Sequence, residues 1–451
     1  MKRNRILLLG ICAILIAACN APERPRNLLL ISVDTLRADR LGCYGYERPT
    51  SPAIDRLAAG GALFEDASAT SPWTKPSHAS LLTGLYPTRN GALTMQSLIH
   101  DDVVHLASHL GDHGFRTGAV VNAQWLTMHG LERGFTDFES VDVVQGRREG
   151  SPVTEEAIRW LRGLDRSDPF FAFVHYMDVH SDYASLPLYE EAFVEPYSGV
   201  VDGSTAQLYD IADGLVTLDA EDARHLENLY DAGIRQVDEQ LSRLFAYLDE
   251  EGLLEHTLVV LTSDHGEEFF EHGSVLHGKT QYQEVVRVPL LFSGPGVARG
   301  ARIATPVSLI DVMPTCLELL GRPAPAGLDG VPLRSTWGES ASDLDARLLY
   351  LEADVTYPPP GPGPVPIGSK RAARDGRYKL TYDLASRDTR LFDLLEDPGE
   401  TRDVKLEHAG IAARLLKNLL RHLDASNPDP EVVPLSEEEL EALRSLGYVG
   451  R

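Results

Sequence analysis

Three segments of the 451-residue chain carry residues that could do chemistry together. Asp34 follows the apolar run 27–33, and Asp264 and His265 follow the apolar run 257–262. Carboxylates and an imidazole are ligands for a divalent metal ion. An Asp after a strand also serves as a turn former or helix cap, so each segment alone stays open. The third segment is Ser71-Pro-Trp-Thr74-Lys-Pro76-Ser-His78-Ala-Ser-Leu-Leu-Thr-Gly84. Pro76 suits the first turn of a helix and Gly84 its end. Thr74 is therefore expected just before a helix N-terminus, where backbone N–H groups and the dipole favour an anion. A hydroxyl there is either a cap or, once a metal lowers its pKa, a nucleophile. Further candidates are His175, Asp178 and His180 at the end of another apolar run, and His272, His277 and Lys279 after the late Asp264-His265 pair.

These residues need a scaffold that brings distant segments to one place. Apolar runs without alternation at 27–33, 117–121, 169–175, 257–262 and 288–293 read as fully buried strands. Helical patterns lie between them, at 52–59, 76–82, 101–113, 153–164, 219–251 and 311–320. Buried strands alternating with amphipathic helices give an α/β fold around a mostly parallel central sheet flanked by helices. Ligands gather at the carboxyl ends of strands in such sheets, which is where Asp34, His175 and Asp264 fall.

After about residue 335 the pattern changes. The Pro- and Gly-rich stretch 357–366 reads as loop or polyproline. Strand-like segments at 370–374, 378–382 and 390–394 follow, with Asp375-Gly376 as a hairpin turn. A helix at 401–423 closes a smaller C-terminal α+β subdomain, and 436–446 reads as one more short helix. The expected division is a catalytic domain over 27–335, the subdomain over 336–430 and a tail over 431–451.

Composition narrows the partners. Apolar residues are 43% and charged residues 24%, as in a globular protein with a sizeable core. Sixty-seven acidic against 42 basic residues give a net charge of −25, which repels nucleic acid. An anionic substrate must be drawn in by a local positive site, most simply a metal ion. Lys2, Arg3 and Arg5 precede an apolar run at 6–18 that is too short to span a bilayer and fits a signal peptide. The run ends in Leu15-Ile16-Ala17-Ala18-Cys19, which resembles a bacterial lipoprotein cleavage site. Residues 1–18 are then removed, Cys19 is lipidated, and 19–26 is a tether to a membrane in the extracytoplasmic (periplasmic) cell envelope. Cys43 and Cys316 remain, with pairing left open.

Together the motifs resemble the sulfatase family of the alkaline-phosphatase superfamily. They are Asp34 with Leu-Arg-Ala-Asp-Arg-Leu-Gly-Cys-Tyr-Gly45, Pro76–Gly84, Ser263-Asp-His-Gly-Glu267, and His277-Gly-Lys279 with Tyr282 and Glu284. Asp375-Gly-Arg-Tyr-Lys-Leu380, Leu391-Phe-Asp-Leu394 and Asp397-Pro-Gly-Glu400 resemble the family's C-terminal subdomain. The resemblance spans about residues 27–425 and implies an alkaline-phosphatase-like fold. It also implies a metal held by Asp34, Thr74, Asp264 and His265, with His180 and Lys279 as substrate-contacting residues. Relatives with two metals imply a second site at Asp178, His180 and His277.

The departures matter as much. The family's formylglycine position, a Cys or Ser, is Thr74, and its Arg position is His78. Thr35 stands for the second early Asp, Val121-Asn122-Ala123-Gln124 for the Lys-x-His motif, and His265 for the common Asn. An imidazole ligand favours Mn²⁺ or Zn²⁺, with Ca²⁺ still open. The expected activity is metal-dependent cleavage or transfer of a phosphate-type ester (phosphodiester, phosphonate or phosphoglycerol). Thr74 is the nucleophile, Lys279 and His78 offset negative charge, and His180 protonates the leaving oxygen. Substrates would be small-molecule, glycan or lipid-headgroup anionic esters. A sulfuric ester hydrolase, and an inactive metal-pocket protein that binds an anionic glycan or headgroup, are the alternatives.

Overall fold

The computed structural model describes residues 24–141, 151–337, 344, 346–357 and 365–426. The signal segment, Cys19, the first part of the tether and the helix expected at 436–446 lie outside the described residues. The strands of the catalytic part are β1 (Asn27–Val33), β2 (Ala62–Ser68), β3 (Arg116–Val121), β4 (Asp137–Ser140), β5 (Phe170–Tyr176), β6 (Thr257–Thr262), the short hairpin β7 (Glu268–Phe269) and β8 (Val275–Leu276), then β9 (Arg287–Ser293), β10 (Ala301–Ile303) and β11 (Val307–Ser308). All but the hairpin form one nine-stranded sheet in the order β10-β2-β9-β6-β1-β5-β3-β4, with β11 also on β2. Every pairing is parallel except those of β9, which runs against β2 and β6. The sheet is therefore mixed, with a wholly parallel centre.

The helices are α1 (Pro52–Ala59), α2 (Thr74–Thr83), α3 (Leu106–Asp112), α4 (Ser151–Arg162), α5 (Pro187–Phe193), α6 (Thr205–Ala212), α7 (Ala220–Glu250), α8 (Val312–Leu320) and α9 (Ala409–Ala425). β1 shows why the fold has three layers. Leu28 and Leu30 join one apolar cluster with α2, α3 and α8, while Leu29 and Ile31 join another with α1, α4 and α7. A strand buried on both faces reads as unbroken apolar sequence. Its neighbours β5 and β6 are parallel to it, so the carboxyl ends of all three open on one edge.

Several boundaries differ from the sequence expectation for identifiable reasons. Thr74 is the first residue of α2 rather than the residue before it, because Trp73 takes the cap position in extended backbone (φ −159°). α3 starts at Leu106, where His105 caps it by accepting from the Ala107 N–H. β2 carries Glu65 and Asp66 within an apolar run, and its register shifts between Phe64 and Ala67. Those two acids are paired to Arg302 and Arg374 instead of breaking the strand.

The C-terminal part is an antiparallel sheet of β12 (Leu349–Tyr357), β13 (Val365–Arg374), β14 (Tyr378–Asp383) and β15 (Thr389–Asp393), with α9 on its apolar face. Asp375 and Gly376 form the expected turn: Asp375 accepts from the Tyr378 N–H, and Gly376 takes φ 93°. Tyr357, Val365 and Pro366 stand in strand, correcting the loop expected there; β14 pairs only from Lys370 onward, so this end of β13 has one neighbour and tolerates proline. The helix expected from 401 begins at Ala409, because Asp397 and Asp403 accept the backbone N–H groups of Arg402 and Lys405 and hold turns instead. Cys43 and Cys316 are free thiols.

Candidate metal centre and active site

Three strand ends and one helix start converge. Asp34 leaves β1 with its N–H bonded to Tyr176 O at 2.8 Å. Asp264 and His265 leave β6, and Ser77 of α2 donates to Asp264 O at 2.6 Å, tying that helix to the β6 exit. Asp34, Asp264 and His265 are each 0% exposed and Thr74 is 2% exposed. Thr74 Oγ1 lies 3.4 Å from Asp34 Oδ2 and 3.3 Å from His265 Nε2. His265 Nε2 lies 3.3 Å from Asp264 Oδ2 and 3.7 Å from Asp34 Oδ1.

These distances test the fit of a metal. Four ligands at ~2.0–2.2 Å in a tetrahedron lie about 3.3–3.6 Å from one another. Three of the four spacings fall in that range and the fourth, 3.7 Å, lies just outside it. Asp34 Oδ1 and Asp264 Oδ2 are buried without a hydrogen-bond partner, and a buried charged oxygen without a partner is costly unless a cation satisfies it. His265 donates Nδ1–H to Gly266 O at 2.9 Å, which leaves the Nε2 lone pair toward the carboxylates. The residues therefore fit a divalent metal that would supply Lewis acidity at Thr74.

The electrostatics divide the imidazoles into two kinds. Burial, with His277 close by, lowers His265 to about 4, so it is a neutral ligand. Burial and then repulsion from Asp34 push Asp264 up to about 6. Asp34 is held well below the usual carboxylate range: burial opposes its ionisation, but the close imidazole of His175, with those of His180 and His265 around it, outweighs it. His277 shifts the other way. Burial disfavours its charge, but Glu267, 2.9 Å from its Nδ1, raises its pKa. Its ring lies 4.3 Å from that of His265 and 5.0 Å from that of His180.

The sulfatase family profile matches residues 26–322 of this chain. The chain belongs to the sulfatase family. It is an ester hydrolase of the alkaline-phosphatase superfamily. It is 29% identical to the multifunctional alkaline phosphatase superfamily protein PehA of Trinickia caryophylli, over 83% of this chain and 90% of that protein. Its fold matches a chain solved in complex with its substrate D-glucosamine-2-N,6-O-disulfate (TM-score 0.75, 20% identity, 91% of this chain and 100% of that one). It also matches the phosphonate monoester hydrolase of Agrobacterium radiobacter (TM-score 0.73, 22% identity, 92% and 99% covered).

Against this sulfatase-family frame, some expected residues stand elsewhere. His78 does not offset substrate charge. It donates Nδ1–H to Thr74 O, four residues back on α2, and accepts from Ser32 Oγ at 2.9 Å through Nε2. Burial lowers it to about 4, so it is neutral and braces the backbone at Thr74. Lys279 is engaged at the end of α6: its Nζ donates to Ala212 O at 3.3 Å and lies 3.8 Å from Asp213. The second metal set is not assembled. Among the described residues, only Asp34/Asp264/His265 and Glu268/His272/Glu284 bring three ligand atoms within 4.8 Å of one another. Asp178 instead accepts from Gln236 at 3.0 Å, and His277 engages Glu267. Thr35, in the place of a family ligand, donates its hydroxyl to Val179 O.

Three residues were not singled out from sequence. Ser32 holds His78, Glu267 accepts from His277, and Asn122 anchors His175 (Oδ1 to Nδ1 3.3 Å) so that His175 Nε2 lies 3.6 Å from Asp34. Glu267 carried the only usable signal, three residues past Asp264 in the motif. The metal assignment predicts that Asp264→Asn loses bound Mn²⁺ or Zn²⁺ in elemental analysis. The same variant loses the thermal stabilisation that metal gives the wild type, which at ~100 Kd is ~2.7 kcal/mol. Full metal occupancy in the variant would place the ligands elsewhere.

Proposed function

We propose that the protein cleaves or transfers phosphate-type esters with Thr74 as an unmodified nucleophile. One observation carries this reading: the Thr74 hydroxyl lies within 3.4 Å of both Asp34 and His265 at the first turn of α2. Asp34, Asp264 and His265 would hold a divalent metal, with Mn²⁺ or Zn²⁺ favoured by the imidazole and the close spacing, which would supply the Lewis acidity that lets the Thr74 hydroxyl give its proton to solvent. Thr74 Oγ then forms a bond to phosphorus as the bond to the leaving oxygen breaks in line. The leaving oxygen takes its proton from His180, whose ring is fixed by Ser181 O at 2.7 Å. The α2 N-terminus supplies positive potential for the equatorial oxygens. Water or an acceptor alcohol resolves the phosphothreonine.

A sulfuric ester is the second reading, supported by the disulfated glucosamine named for one structural neighbour. Chemistry favours phosphorus: a sulfate ester on an alkyl hydroxyl resolves slowly, whereas phosphothreonine is open to attack by water. The residues Leu15–Cys19 add a proposed lipid anchor in the cell envelope. Cys19→Ser is then expected to release the protein from the membrane fraction, and unchanged membrane attachment would contradict lipidation. For the chemistry, Thr74→Ala abolishes turnover while keeping most metal affinity. The metal-loaded wild type cleaves an aryl phosphodiester or phosphonate ester at least about tenfold faster than an aryl sulfate, a barrier difference of ~1.4 kcal/mol. Preference for the aryl sulfate, or normal turnover by Thr74→Ala, would contradict the proposal.

A further inference from the structure

The segment 277–286 touches the metal centre. Besides the His277 ring against His265, Gly266 donates its N–H to Val285 O at 2.7 Å. A Cβ added to Gly266 would fall 2.1 Å from Glu284 O. Gly266 O is the acceptor that orients the His265 ring. The backbone at 284–285 therefore packs directly on the residue that sets the direction of a metal ligand.

The C-terminal subdomain grips the same segment. Lys379 of β14 and Glu400 pair at 2.6 Å with both side chains 0% exposed. Lys379 Nζ also donates to Gln281 O at 2.6 Å, and Glu400 accepts from the Gln283 N–H at 2.7 Å. Lys370 of β13 donates to Lys279 O at 2.8 Å. A fully buried ion pair is weak evidence for stability, since apolar replacements often do as well. Here both partners spend further hydrogen bonds on the backbone of a segment of the catalytic part.

We propose that the buried Lys379–Glu400 pair positions His265 and His277 by clamping residues 281–285, which makes the C-terminal subdomain a working part of the metal centre. The proposal rests on the reading that Asp34, Asp264 and His265 hold the metal. Lys379 and Glu400 bond to the segment and not to the ligands, so they are positioning residues. Outer partners that orient metal ligands typically contribute about 10–100-fold to metal affinity.

The test compares the wild type with Lys379→Met/Glu400→Gln, in which the pair is removed without a change in net charge. Zn²⁺ affinity is measured by chelator competition, and ligand geometry is read from the visible absorption of the Co²⁺-loaded protein. The expected result is Zn²⁺ binding at least about tenfold weaker and a shifted Co²⁺ spectrum. A folded double variant with wild-type affinity and spectrum overturns the proposal, even if it melts earlier. Should the double variant not fold, Lys379→Gln alone removes the ion pair and the bond to Gln281 O, and wild-type affinity and spectrum there overturn it equally. Metal-loaded wild type that turns over no ester contradicts the proposed function alone and leaves this comparison standing. Wild type that takes up no metal contradicts both.

Discussion

Asp34 and Asp264 are two carboxylates with no solvent exposure, each with one oxygen that no protein group satisfies. Keeping two such groups ionised side by side in a dry interior is costly unless a cation joins them, and burial with repulsion from Asp34 already pushes Asp264 up to about 6. This constraint organises the rest of the catalytic part. The parallel centre of the sheet delivers one carboxylate from β1 and the other from β6, side by side in register. α2 brings Thr74, and the turn after β6 aims His265. Because the site forms only on folding, metal binding contributes to the stability of the whole domain.

The imidazoles around this pair do different work according to what each ring nitrogen meets. His265 and His78 both give Nδ1–H to a backbone carbonyl, but His265 turns its second nitrogen to the carboxylates while His78 turns it to Ser32. One is therefore a ligand and the other a brace. Glu267 behind His277 shifts that ring toward its protonated form, against the effect of its burial. The family's arginine at the His78 position is replaced by a neutral residue, which leaves the start of α2 as the local source of positive potential beside Thr74. That distribution suits a hydroxyl nucleophile that must itself become anionic.

The legible parts of the fold were those where one signal dominates. The strands at 27–33 and 257–262 are apolar on both faces, so their ends and the acids that follow could be read directly. β2 was hidden by Glu65 and Asp66, whose charges are absorbed by a register shift and by Arg302 and Arg374, partners far along the chain. Asp34, Thr74, Asp264 and His265 could be brought together from motifs because each sits at an element boundary. The partners of Lys279 could not, because they lie at the end of α6, a helix that carries no motif. His78 was legible in principle: four residues after Thr74 on a helix, its ring can reach back to that carbonyl. Its neutrality depends on complete burial, which spacing alone does not reveal.

The central claim is that Thr74 forms a covalent bond to the transferred group. Metal-loaded wild type is mixed with an aryl phosphodiester, quenched in acid during turnover and digested, and the peptide containing Thr74 is weighed. The account predicts unmodified Thr74 before substrate and a phosphoryl adduct on Thr74 after the quench. Steady turnover with no adduct at Thr74, or an adduct on another residue, would contradict it.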